Sequence, residues 1–209
     1  MTMFADLKKR ISYQSLLLAG FALLASALLG MADYATRDVI KLRLEEDLRA
    51  SLAEVVPSRL YDNNLLEDKV IVSSADDAIG SAETVVYLGR VDGKVSAVSF
   101  RLVAPGGYSG NIDLIMGVDR DGNVLGVRVI SHAETPGLGD KIEVSKSHWI
   151  LKFDGHSLQN LTIEQWAVKK DGGVFDQFSG ATITPRAIVK AVYHGLLFFK
   201  NHQAELLAA

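Results

Sequence analysis

The sequence predicts an α+β fold: an N-terminal transmembrane helix, then a domain of antiparallel strands with flanking helices. Three observations carry this. Residues 11–32 contain no charged side chain. Short runs rich in Val and Ile follow between residues 69 and 132, and two of their junctions are Asp-Gly. From Ile188 onward apolar residues return every three or four positions, the spacing of one helix face. The strand-like runs succeed one another instead of alternating with helices, so βαβ units are not expected.

Taken in order, the first element is the apolar stretch Ile11–Ala32, whose core reads LLLAGFALLASALLGMA. About 20 residues at 1.5 Å each cross a hydrocarbon layer of roughly 30 Å. A signal peptide core runs about 7–15 residues and ends in a small-residue cleavage site, which fits less well. A buried helix is the remaining alternative. Lys8, Lys9 and Arg10 precede the stretch, and Asp33, Arg37 and Asp38 follow it with mixed sign. The positive-inside rule then predicts a cytoplasmic N-terminus (residues 1–10), a span at 11–32, and everything after it outside the cytoplasm, in the periplasm of a Gram-negative cell. Residues 33–57 read as an amphipathic helix, with Leu44, Leu48, Leu52 and Val55 at helical spacing, ending before Pro57. It reads equally as a stalk or as a helix packed on the domain at 58–209.

The strand runs are KVIVSS, ETVVYLGRV, KVSAVSFRLV, IDLIMGVD and NVLGVRVISH. Asp92-Gly93 and Asp121-Gly122 sit between them and predict hairpins. Two Gly-rich loops interrupt the pattern. APGGYSGNI (104–112) joins two strands and reads mainly as an ordinary loop. SHAETPGLGDKIE (131–143) follows the last strand and is more suggestive. Loops at strand ends commonly form sites, and glycine lets backbone approach a ligand. Neither loop is a dinucleotide fingerprint or a Walker loop.

Composition closes several routes. The chain of 209 residues has a formal charge of −3, which gives no basic face for nucleic acid. With no cysteine it has no thiolate ligand for zinc or iron–sulfur clusters, so redox work would need an organic cofactor or another metal. The five histidines are scattered, with no HxH or HExxH pairing, and no metal ligand set is expected. No serine stands in a GxSxG elbow, and no catalytic residue is assigned.

The segment DQFSGATITP (176–185) places Ser179, Thr182 and Thr184 around Gly180 and Ala181 just before the last helix. Thr184-Pro185 reads as N-cap and first helical residue. Ile188, Val192, Leu196 and Phe199 then form an apolar stripe. Thr182 has no such structural role. It lies beside exposed N–H groups and the positive end of a helix, where a phosphate is favoured. The residues alone leave two readings open, a plain capped turn and a phosphate site.

Asp176-Gln177-Phe178-Ser179-Gly180-Ala181-Thr182 resembles the flavinylation motif D-x-x-[ST]-G-A-[ST] of the FMN-binding domain family. Together with GYSG, HAETPGLG and the N-terminal anchor, the chain over most of its length resembles the G subunits of Rnf (Rsx) electron transport complexes. It is more distantly similar to the C subunits of sodium-pumping NADH:quinone reductases. The resemblance implies an extracytoplasmic FMN-binding domain with FMN attached covalently, as a phosphoester, to Thr182. It implies that Ser179, Gly180 and Ala181 form the loop around the linkage, and that Glu134, Thr135, Gly137, Leu138 and Gly139 line the ring or ribityl chain. Asp176 would serve recognition by a magnesium-dependent flavin transferase that moves FMN from FAD. The implied function is single-electron transfer within a complex coupling ferredoxin and NAD oxidoreduction to ion translocation in the cell inner membrane. Its partners would be the other membrane subunits. An anchored extracytoplasmic binding module without redox activity is the alternative.

Overall fold

In the computed structural model, residues 11–75 and 77–209 are described; the expected cytoplasmic segment 1–10, with Lys8, Lys9 and Arg10, lies outside them. Helix α1 (Ile11–Val55) is uninterrupted. The expected span and the expected amphipathic piece are therefore parts of one helix, rich in Leu and Ala, with no proline before Pro57. It contains the one helix among the described residues long and apolar enough to cross a membrane. Two compact units meet within it, one ending at Asp47 and the other beginning at Leu48.

In the first unit the apolar side chains are exposed, Leu18 at 70% and Leu29 at 72%. In water that would be unfavourable over such a length; in lipid it is what a spanning segment requires. Surface ion pairs follow, Arg37 with Asp33 at 2.5 Å and Arg43 with Glu46 at 2.8 Å.

The second unit is built on a five-stranded antiparallel sheet in the order of the chain: β1 (Lys69–Ser73), β2 (Glu83–Val91), β3 (Lys94–Gly107), β4 (Gly110–Asp119) and β5 (Val124–Ser131). Each expected run is a strand, and both Asp-Gly pairs lie at hairpin turns. The loop expected at 104–112 is mostly strand, because β3 and β4 pair up to Gly107 and Gly110 and leave Tyr108 and Ser109 at the turn.

One sheet face carries the main core. Helix α2 (Ile183–Ala208) lies against it, burying Ile188, Val192, Leu196 and Phe199 as the spacing predicts, and also Phe198, which meets Phe100 edge-on at 4.9 Å. The helix continues nine residues past Phe199, and buried Leu206 holds this extension. On the other face Leu52 and Val55, in the last turns of α1, and Val56 just after it cluster with Leu65, Tyr87, Ala97 and Ile115. That contact requires small strand residues. A Cβ at Gly117 would stand 2.1 Å from the Val55 carbonyl oxygen, and one at its cross-strand partner Gly126 3.1 Å from Val55 Cα. So Leu52 and Val55 of the expected stripe pack on the domain, whereas Leu44 is 63% exposed.

Between β5 and α2 the chain runs through short 3₁₀ turns at Gly139–Ile142, His148–Phe153 and Lys169–Asp171. An aromatic cluster of Trp149, Phe153, Trp166, Phe175 and Phe178 fixes them, with ring pairs such as Phe153 and Phe175 at 4.6 Å. Each such pair adds roughly 0.5–1.5 kcal/mol beyond its buried area.

Candidate flavin site

The loop after β5 is shaped by its own backbone and by one histidine. His132 Nδ1 accepts the Glu134 N–H at 3.0 Å, so the ring proton lies on Nε2, which is 3.0 Å from Glu143 Oε1. That bond is the main cause holding the Glu143 carboxyl below its usual value. The N–H groups of Leu138 and Gly139 both donate to the Thr135 carbonyl at 3.1 Å. Pro136 leads this turn, and Gly137, at φ +79°, takes the left-handed position that it needs.

Glu134 is 5% exposed. Its Oε1 accepts the Ser109 N–H at 3.0 Å, and its Oε2 accepts the Thr184 hydroxyl. One buried carboxylate therefore joins the β3–β4 turn, its own loop and the start of α2. Gly139 allows this approach, since a Cβ there would stand 2.6 Å from Glu134 Oε2.

The second loop is a turn at 178–181. The Ala181 N–H donates to the Phe178 carbonyl at 3.2 Å, and Gly180 has φ +80°. Phe178 is pinned edge-on to Trp149 at 5.1 Å, and Trp149 Nε1 donates to the Asp176 carbonyl at 2.7 Å. Helix α2 then begins at Ile183, with Thr182 in the N-cap place and no side-chain capping bond.

This corrects the assignment of Thr184 as N-cap. Thr184 and Pro185 lie inside the first turn, and Thr184 is fully buried. Its hydroxyl is used by a buried carboxylate from a distant loop, a charge-assisted bond roughly twice as strong as a neutral one. The Thr182 hydroxyl, half-buried, is left without a capping duty.

The two loops enclose a cleft of about 520 Å³, within the roughly 300–1,000 Å³ common for small-molecule sites. Glu134, Thr135, Leu138 and Gly139 line one side; Gly180, Ala181, Thr182, Ile183 and Arg186 line another. The loops are neighbours: a Cβ on Gly180 would be 3.7 Å from Leu138 Cδ2. Seven of the ten expected site residues thus meet at one cleft. The other three do not line it. Gly137 shapes its turn, Ser179 is exposed, and the Asp176 carboxylate pairs with Lys152 and with Lys169 Nζ at 2.6 Å. The Lys152 bond, then that to Lys169, lowers the Asp176 carboxyl from 3.8 to about 2.

Tyr108, Ile183, Lys170 and Arg186 also line the cleft, and their sequence context alone did not single them out. Tyr108 sits in the GYSG loop, and Arg186 follows Thr182 by four residues, one helical turn, so both carried a signal. Nothing in the sequence marks Lys170. A second cleft, of about 490 Å³, is lined by strand residues such as Val85, Tyr87 and Arg101 and by no motif residue. Among the described residues no cluster of three His, Asp or Glu side chains is arranged to hold a metal ion.

The family model described as FMN-binding domain matches residues 107–196, which include every residue lining the first cleft. The chain is similar to the G subunit of the ion-translocating oxidoreductase complex of Cereibacter sphaeroides, with 49% identity across 97% of this chain and 90% of the relative. It is 47% identical to the G subunit of the same name from Aliivibrio fischeri over 92% of each chain. The Shewanella oneidensis G subunit is 45% identical over 92% of this chain and 91% of its own length.

Proposed function

The chain belongs to the family of ion-translocating oxidoreductase complex G subunits, and from that premise we propose that it is a membrane-anchored electron carrier holding FMN covalently, as a phosphoester, on Thr182. The observation that carries this reading is convergence. Two motifs with residues 140–175 between them in sequence meet at one cleft, and the hydroxyl at their junction caps nothing.

The residues fit the group. Gly180 and Ala181 leave space beside Thr182, and Lys170, Arg186 and the first turn of α2 supply positive charge for a phosphate. Tyr108, Leu138 and Ile183 offer apolar surface, exposed at 70%, 43% and 46%, on which a ring system would rest. Bound FMN supplies transfer of single electrons. The chain's part is to hold and tune it. Glu134, by gripping Ser109 and Thr184, keeps the two loops at a set separation. Attachment through phosphate leaves the ring free, so its potential answers to hydrogen bonds and exposure. The tether replaces affinity, since a linked group has a high effective concentration.

In this reading α1 is the anchor in the inner membrane, residues 11–32 span it, the N-terminus is cytoplasmic, and the domain at 58–209 faces the periplasm. The span carries no charged residue, which makes it a poor ion path. Ion movement then belongs to the other membrane subunits of a complex that couples ferredoxin and NAD oxidoreduction to translocation. A flavin transferase matures the protein, with Asp176 as its recognition residue. The test is the intact mass of the chain purified from its own membrane, with an absorption spectrum after denaturation. A mass raised by FMN minus water and flavin absorbance that stays with the unfolded chain support the proposal; an unmodified mass refutes it.

A further inference from the structure

The basic side chains around the cleft differ in how they are used. Lys152 and Lys169 both close on Asp176. Arg186 is held by Asp171, with Nε to Oδ2 at 2.5 Å and Nη2 to Oδ1 at 2.6 Å. Lys170 lies between Lys169 and Asp171 in sequence, lines the cleft, is exposed, and forms no ion pair among the described residues. Its field is felt at Asp171, but the Arg186 fork already occupies both oxygens of that carboxylate. The one carboxylate lining the cleft, Glu134, is likewise engaged on both oxygens. The cleft is therefore lined by a cation in no ion pair among the described residues and by a hydroxyl that makes no capping bond.

We propose that Lys170 is the counter-ion of the phosphoester on Thr182, and that Asp171 orients Arg186 as a second, fixed donor beside it. The inference rests on the reading of Thr182 as the attachment point. A phosphodiester keeps one negative charge on two non-bridging oxygens. A lysine ammonium meets such oxygens as a mobile point charge on a flexible stem. The charge of Arg186 is already paired with the Asp171 carboxylate through Nε and one N–H of Nη2, which leaves its Nη1 and remaining Nη2 N–H groups as donors but not as a free counter-charge. The division of labour follows: Arg186 is set in place before the phosphate arrives, and Lys170 closes on it afterwards.

The prediction is a coupling between Lys170 and attachment. The full chain is purified with flavin, and without it from cells lacking the transferase, as wild type, Lys170→Gln and Lys170→Arg. Mass spectrometry gives the extent of modification, and thermal unfolding gives each melting temperature. Flavin-free, the three should melt nearly together, because Lys170 makes no ion pair among the described residues. With flavin attached, wild type and Lys170→Arg should rise in melting temperature, and Lys170→Gln should lose most of that rise. Failure of Lys170→Gln to be modified, while Lys170→Arg is modified fully, would equally support a required cation. An equal rise in wild type and Lys170→Gln overturns the inference, as does the absence of any rise in wild type. Unmodified wild type purified from its own membrane would instead overturn the attachment at Thr182, so the two failures are distinct.

Discussion

Thr182 and Thr184 are chemically alike, two residues apart, and have opposite roles. Thr184 is fully buried and gives its hydroxyl to Glu134. Removing it leaves a buried carboxylate oxygen without its donor, a loss of roughly 1–3 kcal/mol. Thr182 is half-buried, and its side chain caps nothing. Chemical denaturation of flavin-free protein should therefore show Thr184→Ala destabilised by about that amount and Thr182→Ala within about 0.5 kcal/mol of wild type. The reverse order would mean that Thr182 caps the helix after all. This contrast was half readable in the sequence. Thr182 stood out as a hydroxyl without a structural task, but Thr184-Pro185 had the appearance of a helix start. The competing acceptor lies 50 residues away on another loop, and no local pattern announces it.

Asp176 supplies a test of its own. Its two lysine partners lower its carboxyl from 3.8 to about 2 in the folded protein. A depressed carboxyl stabilises the fold above its unfolded value, and that contribution disappears as the pH falls through the folded one. The window is therefore between about pH 4 and pH 2. The group is substantially exposed, so screening keeps the effect below about 1 kcal/mol. Unfolding curves across that window should be less pH-dependent for Asp176→Asn than for wild type. Equal slopes would mean that the two ion pairs do not hold in solution.

Among the elements, the strands were the most readable. Val- and Ile-rich runs between Asp-Gly turns have few alternative folds, and every run became a strand. The segment 139–176 was the least readable. Its 3₁₀ turns are held by Trp149, Phe153, Trp166 and Phe175, whose contacts are tertiary and leave no periodic trace. The end of α1 was readable as amphipathic, but its seat was not, because two isolated glycines on separate strands make it. Gly117→Ala would force the Val55 carbonyl to move away from a Cβ placed 2.1 Å from it. Overpacking of this kind costs typically about 1–3 kcal/mol. Thermal unfolding should show that loss, while a variant at exposed Gly172, where a Cβ meets nothing, answers mainly to backbone strain. An unperturbed Gly117→Ala protein would mean that the last turns of α1 do not press on the sheet.

For the molecule as a whole, the proposed reading gives the apolar part of α1 the work of anchoring and the domain after it that of holding the cofactor. Protease added to spheroplasts should digest the domain after α1 and spare the span. Protection of the domain would reverse the proposed orientation. Everything proposed for the cleft depends on whether Thr182 carries FMN. Peptide mass spectrometry of residues 171–186, from protein purified out of its own membrane, decides that point. A single adduct of FMN minus water is expected on Thr182, absent from Thr182→Ala and retained in Thr184→Ala. An unmodified peptide, or an adduct on Ser179 or Thr184, would contradict the assignment.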